Sequence, residues 1–183
     1  MALTDTPICN FGWQARHFNL PDPGGVKYSL QSLRGRNGLL VAFICNHCPY
    51  VKAIAENFSK DAMKLKEMGI GIAAIMPNDY KAYPDDHPTK MQEFMEKYSF
   101  DFPYLIDESQ ETARTYGAVC TPDFFGFNAS CELQYRGRLD NLGINRSGDR
   151  DPELLNAMCT VAETGEGPVD QIASLGCSIK WQV

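Results

Sequence analysis

The chain has little of what would tie it to a membrane or to nucleic acid. No apolar run approaches the ~20 residues needed to cross a bilayer. Lys and Arg together number 17 against 23 Asp and Glu, a formal charge of -6. Such a chain repels phosphate backbones, and no basic cluster offsets that repulsion, so neither nucleic acid nor a membrane is an expected partner. The start Met1-Ala2-Leu3-Thr4-Asp5-Thr6-Pro7 lacks a basic segment followed by an apolar core, and the expected location is cytoplasmic, where thiols are kept reduced. Repeats, low-complexity runs and linker-like shifts in composition are also missing, so residues 1–183 are read as one domain. A domain of this size buries about 70% of its unfolded surface and needs no disulfide framework. Its seven cysteines, an odd number, are left free for chemistry.

What is present centres on Cys45-Asn46-His47-Cys48-Pro49, which follows the apolar run Leu39-Leu40-Val41-Ala42-Phe43-Ile44 and precedes a long helical pattern. Pro49 has no N–H and is tolerated only in a helix's first turn, so the helix must begin within Asn46 to Pro49. The first N–H groups of a helix have no intrahelical acceptor, and together with the helix dipole they favour a nearby anion such as a thiolate. The C-x-x-C spacing brings two thiols within disulfide reach at that electropositive end, as thiol–disulfide exchange requires. Asn46 is a favoured N-cap type, which would leave Cys45 outside the first turn as the exposed thiol of lower pKa and Cys48 within it. A partly protonated His47 between them would stabilise a thiolate; a solvated loop histidine without effect is the alternative.

The flanking patterns give an α/β protein. Arg16 to Leu20 and Val26 to Leu30 alternate around Pro21-Asp22-Pro23-Gly24-Gly25 and read as a hairpin. Gly38 to Ile44 and Ile70 to Met76 are buried strands, and Tyr50 to Met68 carries a helical stripe at Val51, Ile54, Ala55, Phe58, Ala62 and Leu65. Further on come a helix from Asp85 through Tyr98, a strand at Phe102 to Ile106 and a helix to Tyr116 closed by Gly117. A hairpin of Phe124–Phe127 with Leu133–Arg136, a helix near Pro152 to Glu163 and a tail complete the chain. Phe11 and Trp13 are expected to pack on the body of the fold and His87 to lie at the surface. Asn78 and Asp79 leave a strand's carboxyl end, where they face the thiols or serve as turn and capping residues.

With Tyr116-Gly117-Ala118-Val119-Cys120-Thr121-Pro122-Asp123-Phe124-Phe125 downstream of C-N-H-C-P, the chain resembles the thioredoxin-like superfamily. The opening His17-Phe18-Asn19-Leu20-Pro21-Asp22, with Gly24-Gly25 and Tyr28 to Gly35, is similar to its peroxiredoxin-like AhpC/TSA branch. The resemblance implies a thioredoxin-like fold, a central mixed β-sheet flanked by helices, with an N-terminal β-hairpin extension. It makes Cys45 the more exposed nucleophile and Cys48 the resolving thiol. Pro122 matches the family's cis-proline, which leaves the preceding backbone free to pair with an extended substrate. Thr121 and Cys120 are accessory candidates beside it, although a buried inert thiol is the plainer reading of Cys120. Cys177, in Gly176-Cys177-Ser178-Ile179-Lys180-Trp181, resembles a recurring tail segment without a role attached, and Cys9, Cys131 and Cys159 are read as structural.

The chain departs from both parent patterns. Thioredoxins carry Trp before the first cysteine and Pro before the second, where Ile44 and His47 stand here. The Pro, Thr and Arg that help a peroxidatic cysteine correspond to Val41, Cys45 and a position near Pro122. The expected function is therefore a thiol–disulfide oxidoreductase acting on protein or small-molecule disulfides with a thiol reductant system, without a cofactor. A thiol peroxidase is the second enzyme reading. A zinc-binding or scaffold protein using Cys45, His47, Cys48 and Cys120 is the reading from another class.

Overall fold

The computed structural model describes residues 3–183. In chain order its elements are β1 (Leu3–Asp5), β2 (Asn19–Pro21), β3 (Lys27–Ser29), α1 (Leu30–Leu33), β4 (Gly38–Phe43), α2 (Pro49–Glu67), β5 (Ile70–Met76), α3 (Pro88–Tyr98) and β6 (Tyr104–Ile106). There follow α4 (Glu111–Tyr116), β7 (Cys120–Thr121), β8 (Asp123–Asn128), β9 (Leu133–Tyr135), α5 (Glu153–Thr164) and β10 (Leu175–Ser178).

The central sheet is mixed, and its middle strand is the one the sequence marks most plainly. All six residues of β4 are buried, because both faces of the sheet are covered. β4 pairs antiparallel with β8, which pairs with β9, while β5 and β6 run parallel. The Ile44 amide donates to the Ile75 carbonyl at 3.0 Å and ties the end of β4 to β5. Alternate residues of β4 and the Ile44 that follows it feed two apolar layers. Leu40, Ala42 and Ile44 join Val51, Phe58 and Leu65 of α2, together with Leu154 and Met158 of α5. Leu39, Val41 and Phe43 face Phe18, Tyr116, Phe125 and Phe127 on the other side. The two-residue side-chain period of the strand is what feeds both layers.

The N-terminal hairpin is β2 paired with β3, followed by a short helix that the pattern did not predict. Ser29 and Ser32 form a reciprocal capping box, which stabilises a single turn. Trp13 packs edge-on against Tyr116 with ring centroids 5.4 Å apart, whereas Phe11 is 45% exposed and does not dock as expected. The helix expected from Asp85 starts later: Pro84–Asp86 is a 3-10 turn, and exposed His87 caps α3 by accepting from the Thr89 amide. The tail is also more than a tail. β10 is the middle strand of a three-stranded sheet, between β1 and β7, so the C-terminal segment lies across the residues that precede Pro122. Among the described residues no helix is long and apolar enough to cross a membrane.

Candidate functional site: a buried cysteine pair at a helix start

The strand β4 ends at Phe43, and residues 44–48 carry the chain to the first turn of α2. The N-cap is Cys48 (φ -64°, ψ 123°) with Pro49 at N1, not Asn46 as its residue type suggests. Asn46 is used elsewhere. Its Nδ2 donates to the Asp85 carbonyl at 3.1 Å, and its Oδ1 lies 3.1 Å from the Tyr104 hydroxyl, which is also 3.3 Å from the Ile44 carbonyl.

Asp86 holds this loop from below. Fully buried, it accepts from the Asn46 amide (2.8 Å), the His47 amide (3.2 Å), His47 Nδ1 (2.6 Å) and Asn78 Nδ2 (2.8 Å). Four donors satisfy both oxygens, which is how a carboxylate tolerates burial. His47 is thereby fixed at its Nδ1, with its ring stacked on Tyr83 at 5.9 Å between centroids. Asn78 joins the same network and also accepts from the Lys180 amide at 2.9 Å, while Asp79 accepts from the amides of Lys81 and Ala82 as a turn residue.

Above the loop, Thr121-Pro122 carries the cis peptide bond that the resemblance implies. Cys45 Sγ is 3.2 Å from Thr121 Oγ1, and Cys48 Sγ is 3.1 Å from the Thr121 carbonyl. Cys45, Cys48, His47, Thr121 and Pro122 are therefore brought together. Cys120 is buried, but its thiol turns to the Pro122 carbonyl at 3.5 Å, and burial pushes its pKa well up. The backbone before Pro122 is not free for a substrate strand: Cys177 pairs with Thr121 and Ser178 with Cys120.

Two expectations about the thiols are reversed. Cys45 is not exposed; both sulfurs are buried at 0% exposure. The acidities also run opposite to the expected order. Cys45 is raised well above an ordinary thiol, first by burial, then by its hydrogen bond to Cys48 and by the negative charge of Asp86. Cys48 is lowered to about 5, chiefly because Cys45 donates to it, against the opposing effect of burial. The Cys177 side chain and amide and the Val51 amide of the helix's first turn add to the lowering. The Thr121 carbonyl works against the anion, but it is one acceptor against several donors, and the dipole of the 19-residue α2 adds to them. Thr121 thus meets both cysteines, its hydroxyl at Cys45 and its carbonyl at Cys48.

Cys45, His47 and Asp86 also bring one potential metal ligand each within 4.8 Å of one another. The group fits a metal poorly. Asp86 has both oxygens committed to internal donors, His47 uses its Nδ1 on Asp86, and Cys45 donates to Cys48. A cation here would have to break the bonds that hold the loop.

Sequence reading missed Asp86 and Tyr104 and gave Cys177 no role. The pattern around Asp86 predicts only a helix start, and nothing local to either residue announces a contact 40 or more positions away.

Comparison with known proteins identifies the family and the fold. The AhpC/TSA family matches residues 11–137. A crystal structure of a hypothetical protein from Sinorhizobium meliloti 1021 superposes with a TM-score of 0.93 at 35% identity, covering 98% of this chain and 99% of that one. The thiol-disulfide oxidoreductase ResA of Halalkalibacterium halodurans is 27% identical over 131 residues, 72% of this chain and 70% of that protein. A secreted disulfide oxidoreductase of Mycobacterium tuberculosis shares the fold, with a TM-score of 0.55 at 21% identity over 64% of this chain and 80% of that one. The architecture is the expected thioredoxin-like fold, and the chain belongs to the AhpC/TSA family.

Proposed function

We infer that this protein is a thiol–disulfide oxidoreductase in which Cys48, not Cys45, makes the first attack. The observation that carries the reading is the pair itself: two cysteines at a helix start, both against Thr121, with the Cys48 thiol lowered by its neighbours. The Cys48 thiolate attacks one sulfur of a substrate disulfide, forming a mixed disulfide and releasing the first thiolate, which takes up a proton. Cys45 then loses its proton, attacks the Cys48 sulfur and releases the second substrate thiol. A Cys45–Cys48 disulfide remains, and a thiol reductant returns it to the dithiol.

A cleft of about 270 Å³ beside Pro122, lined by Tyr50, Ile54, Leu139, Ile144 and Leu175, is the place for the apolar side chains of a peptide substrate. Seven free thiols suit a reducing compartment, the cytoplasm. The resemblance of ResA in name and sequence supports disulfides as the substrate class.

A thiol peroxidase is the second reading, favoured by the low pKa falling on the second cysteine, the position that matches a peroxidatic one. Against it, the groups that act most on Cys48 are thiols and backbone amides. Val41 and Cys45 stand where helper residues would polarise a peroxide. Insulin reduction by a dithiol should therefore be accelerated more, per enzyme, than hydrogen peroxide consumption. Peroxide reduction that is the faster of the two and survives Cys45→Ser would reverse the ranking.

A further inference from the structure

We propose that Cys177 is a third redox thiol: a second resolving partner for Cys48, so that the site can close through either of two disulfides. The proposal rests on Cys48 being the attacking thiolate. What points to it is the way the fold delivers Cys177.

β10 is held on both edges, with Cys177 opposite Leu3 of β1 and opposite Thr121 of β7. It is pinned at its ends as well. Ser174 Oγ donates to the Pro122 carbonyl at 2.8 Å, the Ile179 amide to the Val119 carbonyl at 3.2 Å, and the Lys180 amide to Asn78 Oδ1 at 2.9 Å. Gly176 lets the strand lie this close, since a Cβ there would sit 2.1 Å from the Thr121 carbonyl oxygen. That same carbonyl oxygen is 3.1 Å from Cys48 Sγ. Cys177, paired with Thr121, and Cys48 lie in one buried cluster, where the thiol and amide of Cys177 both act to lower the Cys48 pKa.

Cys48 consequently has a thiol on either side, Cys45 from its own loop and Cys177 from the C-terminal strand. Burial alone does not explain this, because Cys120 is as buried and directs its thiol to a carbonyl. Once Cys48 is tied to a substrate sulfur, the Cys177 sulfur gives up its proton and closes to bonding distance, about 2.05 Å. Cys177 then attacks Cys48 Sγ, the bond from Cys48 to the substrate sulfur breaks, and the substrate leaves as a thiolate that takes a proton. The two electrons lost by Cys48 and Cys177 are those gained by the substrate disulfide. Cys45 can later attack Cys48 Sγ in turn, forming Cys45–Cys48 and freeing Cys177, with no net change in oxidation state.

The test uses Cys45→Ser and Cys45→Ser/Cys177→Ser proteins, each reacted with 2-hydroxyethyl disulfide, quenched with acid and mapped by non-reducing peptide mass spectrometry. In Cys45→Ser the hydroxyethylthio adduct on Cys48 should give way to a Cys48–Cys177 crosslinked peptide pair. In the double variant the adduct should persist at least tenfold longer. An adduct that is equally long-lived in both, or a crosslink from Cys48 to Cys120, overturns the proposal while leaving Cys48 as nucleophile. If no adduct forms on Cys48 in either protein, the parent reading fails and this one with it. The Cys45→Ser protein keeps the native Cys177, so its crosslink is read even if the double variant folds poorly.

Discussion

Cys48→Ser should lower the rate of disulfide reduction by about 10⁴-fold or more, the scale seen when an attacking nucleophile is removed. Cys45→Ser should behave differently. Its Cys48 still attacks, so a single turnover should release one equivalent of substrate thiol within about tenfold of the wild-type rate. The modest slowing reflects the loss of the donor that contributes most to the Cys48 thiolate. Serine retains a hydroxyl at that place and preserves part of the effect. Rapid-quench measurement with a chromogenic disulfide separates the two steps. A burst that survives Cys48→Ser and is lost in Cys45→Ser would exchange the roles of the two cysteines.

The second large effect is expected at Asp86, which touches neither sulfur as a reactant but fixes the loop that carries them. Asp86→Ala removes an acceptor from four buried or part-buried donors: the amides of Asn46 and His47, His47 Nδ1 and Asn78 Nδ2. A buried donor left without a partner costs about 1–3 kcal/mol, and the loop can relax around only some of them, so a net loss of about 3 kcal/mol or more is expected. Asp86→Asn keeps one oxygen for the two backbone amides but turns an NH2 toward His47 and Asn78, and should cost less than the alanine. Urea unfolding of the reduced proteins measures both. A loss under about 0.5 kcal/mol in Asp86→Ala would mean that the carboxylate does not anchor the loop. Removing the carboxylate also removes one of the influences that raise the Cys45 pKa, so Cys45 should label faster in either folded variant.

These two sites show where sequence reading succeeds and where it stops. The strand-to-helix delivery of the cysteines is legible because it is local: an apolar run, two thiols and a proline confined to the first turn. The apolar stripe of α2 is legible for the same reason, with Val51, Ile54, Ala55, Phe58, Ala62 and Leu65 all buried. The choice of nucleophile is not local. Asn46 has the chemistry of an N-cap, yet Tyr104 and the Asp85 carbonyl engage its side chain, and the cap passes to Cys48. The acidity order comes chiefly from burial and from the interaction of the two thiols, and it is reinforced by Asp86 on Cys45 and Cys177 on Cys48, residues 41 and 129 positions away respectively. A tail strand that pairs with Thr121 leaves no periodic trace in four residues containing a glycine, a serine and a cysteine. The thioredoxin-like resemblance implied the cis-proline, and Thr121-Pro122 is cis. Its inference of a free backbone before that proline failed, because β10 fills that edge.

The most direct test of the account is the pH dependence of iodoacetamide labelling, resolved by mass spectrometry for each cysteine of the reduced protein. Both sulfurs are buried, so absolute rates will be low, but the shape of each profile follows its own thiolate population. A thiol loses its proton as pH rises through its pKa. Cys48 labelling should therefore rise through about pH 5 and be level between about pH 7 and 8, where an ordinary thiol with a pKa of about 8.5 is still climbing. Cys45 should stay unlabelled across that range and begin to react only well above it. Fast labelling of Cys45 with a low midpoint, beside a Cys48 that labels only at alkaline pH, would contradict the assignment of Cys48 as the attacking thiolate.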